Sequence, residues 1–251
     1  MKIEILFPEI CNLFGDMGNM KYLKKCLPNA EFISTAFGDK PLFASEQPNL
    51  IYLAPSNEKN QELIIKALLP YRDRLKELID NGTPMLFTGN SGEILFKEIE
   101  NYDGRKIPAL NIFPFTAKRE QYTRFNGLNH GTMADGTEIL GFRSQFTYWF
   151  GDNSDCFFVK CIKGIGINKE SDKEGIMVNN AIATAQLGPL LVNNPAFTKR
   201  LLKLMGAENT ALAFEDDVKK AFEIRKAEFE NSKTKFCLLY TSPSPRDKRQ
   251  S

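Results

Sequence analysis

Thr83-Pro84-Met85-Leu86-Phe87-Thr88-Gly89-Asn90-Ser91-Gly92-Glu93-Ile94-Leu95-Phe96 is the stretch that decides the fold of this chain. An apolar strand over 85–88 runs into a glycine-flanked turn, and a helix is expected to follow over 91–99. In α/β enzymes a strand, a sharp turn and a helix in this order form an elbow that exposes a Ser or Cys at its apex. Here the apex is Gly89, which has no side chain to react.

Upstream, Leu50-Ile51-Tyr52-Leu53-Ala54 is a second wholly apolar run, of the kind buried in a parallel sheet. A helical pattern fills 58–80, with Leu63, Ile64, Ala67, Leu68, Leu75, Leu78 and Ile79 at its apolar positions. Pro70 is expected to kink or divide that helix, and Asn81-Gly82 to end it. Nearer the start, 2–7 and 31–34 read as strands, 20–27 as a helix ended by Pro28, and 34–47 as loop. This strand–helix alternation implies an α/β fold with a mostly parallel sheet and helices on both faces.

Downstream the texture changes. Short aromatic and β-branched runs at 107–117, 121–125, 138–142, 146–150 and 156–162 read as strands, several of them antiparallel. The segment 126–131 reads as a turn-rich surface loop carrying His130, the single histidine. Two further strands are expected at 175–178 and 181–185, and helices at 195–205 and 216–235.

The 251 residues are 42% hydrophobic and 25% charged, enough for one large α/β domain. Lys plus Arg is 33 and Asp plus Glu is 31, so charge makes no case for nucleic acid. No apolar run approaches the roughly 20 residues of a membrane span. The beginning at Met1 reads as a first strand rather than a secretory signal. Cys11, Cys26, Cys156, Cys161 and Cys237 show neither zinc nor thioredoxin spacing, which suits reduced thiols in a cytoplasmic protein with no cofactor or metal. The segment 237–251 resembles the translation of a sequencing-library adapter, with a disordered Ser/Pro/Arg tail as the alternative. The domain is therefore expected to span 1–236.

Asn12-Leu13-Phe14-Gly15-Asp16-Met17-Gly18-Asn19 resembles an "N-(L/I)-Y-G-D-x-G-N" loop of class I glutamine amidotransferases, in the cobyric-acid-synthase-like branch. The similarity is greatest to glutaminase subunits of lipid II isoglutaminyl synthase. It continues through residues 79–86, Thr123-Arg124-Phe125-Asn126-Gly127, Leu140-Gly141-Phe142, Gly188-Pro189-Leu190-Leu191 and Asn194-Pro195, covering nearly all of 1–205. The resemblance implies a flavodoxin-like sheet with extra antiparallel strands, and a Mur-ligase-like amidoligase as partner. In such enzymes a Cys thiolate at the elbow, activated by His, attacks the glutamine amide while backbone donors hold the oxyanion.

At each of those places the chain departs from the pattern. The family's "C-G-G-Y-Q" is Gly89-Asn90-Ser91-Gly92-Glu93, putting Gly89 at the nucleophile position. Its "Y-L-H-G-P" is Ala185-Gln186-Leu187-Gly188-Pro189, putting Leu187 at the base position. The glycine-rich oxyanion loop is replaced by Ala54-Pro55-Ser56-Asn57-Glu58, and "G-F-E-N-H" by Gly141-Phe142-Arg143-Ser144-Gln145. Arg124 is retained at a position that contacts the bound glutamine in relatives, and an exposed strand arginine is the equally weighted reading. Ser91 is expected to cap the helix rather than replace the nucleophile, and Cys11 to be a bystander thiol. The expectation is a catalytically degenerate subunit acting through a ligase-type partner. The alternatives are a working glutaminase subunit with relocated residues, and an amino-acid sensor built on Arg124.

Overall fold

The elbow strand is Met85–Thr88, and the three strands before it lie on one side of it in a six-stranded sheet. The computed structural model describes residues 1–120 and 124–235, together with the backbone alone of 237–240. In chain order the first half is β1 (Lys2–Leu6), α1 (Gly18–Cys26), β2 (Glu31–Thr35), β3 (Leu50–Leu53), α2 (Glu58–Leu68), α3 (Arg72–Asp80) and β4 (Met85–Thr88). Pro70 divides the long helical pattern as expected: Leu69–Tyr71 forms a 3-10 turn between α2 and α3, where proline's missing N–H costs nothing. Asn57 caps α2, its side chain accepting the Asn60 amide at 2.8 Å.

The second half runs β5 (Glu98–Glu100), β6 (Lys106–Pro108), β7 (Thr116–Arg119), β8 (Arg124–Thr132), β9 (Glu138–Gln145) and β10 (Thr147–Phe150). It continues with β11 (Val159–Lys163), β12 (Lys173–Glu174), β13 (Ile176–Val178), β14 (Ala181–Thr184), α4 (Leu190–Asn193), α5 (Pro195–Leu204), α6 (Glu215–Glu230) and the backbone strand β15 (Cys237–Tyr240). The main sheet has the order β13-β14-β4-β3-β1-β2, parallel except for β13. Helices flank the sheet in two groups, α1 packing on α4, which also meets α5 and α6, and α2 lying against the turn after β4 and joined to α3 through the 3-10 turn. Two smaller sheets hold the antiparallel strands, β10-β7-β5-β6 and β12-β11-β8-β15 with β9 also on β8. Among the described residues no helix is long and apolar enough to cross a membrane.

Several expectations need correction. The helix expected at 91–99 is a 3-10 turn, Gly89–Leu95, after which Phe96 turns extended and β5 begins. The carbonyls a longer helix would need are taken elsewhere. Ile94 O accepts the Leu110 amide, Leu95 O those of Ile112 and Phe113, and Phe96 O that of Asn111. The run at 107–117 is two strands, β6 and β7, and the run at 175–178 begins only after Gly175, held at φ +70°.

The turn-rich segment 126–131 is the middle of β8, paired along its length with β9. Its glycine serves close approach rather than a turn: a Cβ on Gly131 would sit 2.2 Å from the Lys160 carbonyl oxygen of β11. His130 is therefore buried in a sheet, not in a surface loop. Part of the strand expected at 121–125 lies outside the described residues. Of the segment 237–251, Cys237–Tyr240 pairs antiparallel with Arg124–Gly127, and 241–251 lies outside the described residues.

Candidate functional site: an elbow with its apex filled

β4 lies between β3 and β14, so the elbow opens at the carboxyl ends of parallel strands, where α/β sheets place their ligands. Thr88 pairs with Thr184 across β4 and β14, which brings the 185–189 turn beside the apex. Gly89 has φ +58°, the left-handed conformation that an elbow imposes and that glycine adopts without a Cβ penalty.

Three departures from the amidotransferase pattern meet at one point. A Cβ built on Gly89 would lie 2.8 Å from Pro55 Cβ and 2.9 Å from Leu187 Cδ2. Both distances are well inside van der Waals contact, so the nucleophile position has no room for a side chain. Leu187 is buried, and its isobutyl group occupies space beside the apex. Donors beside the apex are engaged as well. The Ser56 amide donates to Asn90 Oδ1 at 3.1 Å while Asn90 Nδ2 donates to Ser56 O at 2.7 Å. The Gly89 amide donates to Gln186 O at 3.2 Å, and Pro55 has no amide proton. An oxyanion hole needs such donors free and aimed outward.

The remaining frame is kept. Asp16 and Asn19, from the loop resembling "N-(L/I)-Y-G-D-x-G-N", tie the elbow to both neighbouring turns. Asp16 accepts hydrogen bonds from Thr88 Oγ1, from Tyr52 Oη at 2.8 Å and from the Gly188 amide. Asn19 donates to Asp16 and accepts the Leu191 amide at 2.9 Å. Burial pushes the Asp16 carboxyl up to about 6 despite these donors. Asp16 and Asn19 hold geometry rather than chemistry.

The rival nucleophiles do not assemble a site. Ser91 does not cap a helix: its buried hydroxyl lies 2.8 Å from Leu53 O and 2.7 Å from Thr88 O, its one proton serving these carbonyls. Cys11 is fully buried, and burial pushes its thiol up to about 12, far from a thiolate at neutral pH. His130 Nε2 lies 3.3 Å from Glu138 Oε1, and its Nδ1 has no partner among the described residues. Neither Ser91 nor Cys11 is bonded to it.

Arg124 stands at the rim of the elbow. Together with Gly89, Pro55 and Leu187 it lines a cavity of about 210 Å³. Its Nε donates to Ser144 Oγ at 2.9 Å, and its guanidinium lies over the rings of Phe14 and Phe146, 5.9 and 5.5 Å from their centroids. Arg119 lines the same cavity and also a neighbouring one of about 640 Å³ along α2. Sequence reasoning did not single out Arg119 or the groups that hold it, Gln61 and Asn101. Their only signal was that Glu93 stands where the similar pattern has Gln.

No family model matches the chain. It is 25% identical over 206 residues to lipid II isoglutaminyl synthase (glutamine-hydrolyzing) subunit GatD of Staphylococcus aureus (strain N315), covering 81% of this chain and 83% of that one. Among solved structures, a glutamine amidotransferase matches 81% of this chain and 99% of its own length, with TM-score 0.51 and 13% identity. A glutamine amidotransferase from Thermotoga maritima matches 91% of this chain and 94% of its own, with TM-score 0.52 and 11% identity. The structural matches carry the fold and the curated relative carries the sequence similarity, so in both the chain is similar to glutamine amidotransferases.

Proposed function

We propose that this chain is an amidotransferase-like subunit that no longer hydrolyses glutamine and acts through a ligase-type partner. One observation carries the first half: Pro55 and Leu187 occupy the space that a side chain at position 89 would need. Loss of thiol and base alone could be a rewiring, but an apex filled from both sides leaves no place for the attacking atom or its target. The second half rests on similarity to GatD, which is named as one subunit of a synthase. A cytoplasmic amidoligase of the Mur-ligase kind, acting in cell-wall precursor synthesis, is the partner that similarity suggests.

The test is ammonia release from glutamine by the purified chain, alone and with a Mur-ligase-like amidoligase. No release above background is expected in either case. Release that vanishes in Ser91→Ala or Cys11→Ala would sink the proposal and favour a relocated nucleophile.

A second reading, an amino-acid sensor, is favoured by Arg124. A guanidinium flanked by two rings at a small cavity suits a carboxylate through paired hydrogen bonds. Calorimetric titration with glutamine should then show binding that Arg124→Ala abolishes. Equal affinity in the two proteins would remove this reading.

A further inference from the structure

Glu93 lies within the elbow turn and is buried, although among the described residues no cation bonds to it. Both carboxylate oxygens face donors. Oε2 accepts Gln61 Nε2 at 2.8 Å, and Oε1 accepts the indole N–H of Trp149 at 3.1 Å. Gln61 is a junction: its Nε2 also donates to Asn90 O at 2.6 Å, and its Oε1 accepts Arg119 Nη2 at 2.6 Å. The carboxylate is thereby joined to the backbone next to the apex and, through one amide, to the arginine shared by both cavities.

This arrangement suits only the ionised acid. A proton on Oε2 would need an acceptor, and the nearest is Gln61 Oε1, reachable by turning the amide over. That turn would point Gln61 Nε2 at Arg119 Nη2, donor against donor, and would strip Asn90 O of its hydrogen bond. A proton on Oε1 would instead meet the Trp149 N–H. Protonation therefore breaks either the Trp149 contact or the Gln61 junction. The charged groups facing Glu93 are Arg119 from β7 and Glu58 from α2, with Glu62 of α2 3.7 Å from Arg119.

We propose that Glu93 is a proton-operated latch: ionised, it locks Gln61, the Asn90 carbonyl and Arg119 in place, and protonated, it frees Arg119 and alters the wall of both cavities. The latch deepens the reading of the elbow as a non-hydrolysing site by giving that site a means of regulation. Burial pushes the Glu93 carboxyl up to about 7, so the change falls at neutral pH. The pattern this chain resembles carries a non-titrating Gln at this position. A glutamine there could not operate such a latch.

The chain holds one tryptophan, and it is the one bonded to Glu93. Selective excitation of Trp149 across a pH series reads the latch directly, with neither partner nor activity needed. The wild-type emission should shift along a single titration curve with its midpoint near 7. Glu93→Gln, nearly isosteric and able to keep a carbonyl oxygen toward one of the two donors, should give a flat trace. A shift surviving in Glu93→Gln would belong to another group, such as Asp16, and overturn the latch. A flat wild-type trace would overturn it too. In Gln61→Leu the Trp149 titration should persist, since the Glu93–Trp149 bond does not pass through Gln61, while amide exchange at Asn90 and Ser91 should lose its dependence on Glu93 ionisation. Exchange there that still follows Glu93 ionisation as in the wild type would sink the junction role of Gln61. An ammonia assay that revealed glutaminase activity would overturn the proposed function and leave these spectra untouched.

Discussion

A glycine at the apex of an elbow removes more than a thiol. Gly89 keeps φ +58°, and any other residue there bears the left-handed strain plus contacts of 2.8 and 2.9 Å with Pro55 and Leu187. Gly89→Ala should therefore destabilise the protein by about 1–3 kcal/mol, measured by chemical denaturation. Gly89→Cys alone should release no ammonia. Gly89→Cys combined with Leu187→His and Pro55→Gly recovers the reacting pair and the space, and is the smallest change with a route to activity. Hydrolysis by the single Gly89→Cys variant would show that the apex is open. At this scale the sequence supplied residue identity: Gly89 and Leu187 stand where the resembled pattern has Cys and His. That Pro55 and Leu187 touch the same missing Cβ was not legible there, because the three residues are far apart in the chain and meet only when β3, β4 and β14 align.

At the scale of elements, capping chemistry and proline placement were readable locally, whereas the end of the elbow turn was not. Asn57 caps α2 through its own side chain, and Asn57→Ala should cost about 1 kcal/mol of unfolding free energy. The N-terminal loop works differently, since Asn19 holds the Leu191 amide at a distance of 172 residues along the chain. Asn19→Ala leaves that buried amide and the Asp16 carboxylate short of partners. It should destabilise by roughly 1–3 kcal/mol, with the loss seen as faster amide exchange at Leu191. The 3-10 turn after β4 stops where it does because residues 110–113 take its carbonyls, a competition no local pattern discloses. The same holds for β8, whose glycine and asparagines resemble a loop until the close approach of β11 accounts for Gly131.

Across the whole molecule the buried acids set the response to pH. Asp16 is raised from 3.8 to about 6 and Glu93 from 4.5 to about 7, both chiefly by burial, and the buried Glu4 and Glu174 are raised for the same reason. A raised acid binds its proton more tightly folded than unfolded. The folded state is thus favoured at low pH and loses stability as pH climbs from the unfolded to the folded value. Unfolding free energy should fall between about pH 4 and about pH 7, by on the order of 3 kcal/mol for Asp16 and a similar amount for Glu93. Glu215, held down to about 2 by Lys199 and Lys219, acts at lower pH, below this window. Denaturation curves at several pH values check the trend, and Glu93→Gln should flatten its upper part. Stability that instead rose through this window would contradict the burial of these carboxyls. The sequence by itself determined the parallel α/β frame, the position of the elbow and the absence of thiol and imidazole, because strand periodicity, glycine and residue identity are local properties. Only the tertiary structure decided that the apex is filled and that Glu93 commands a network reaching Arg119. Contacts and burial are made by elements that the chain separates and the sheet brings together.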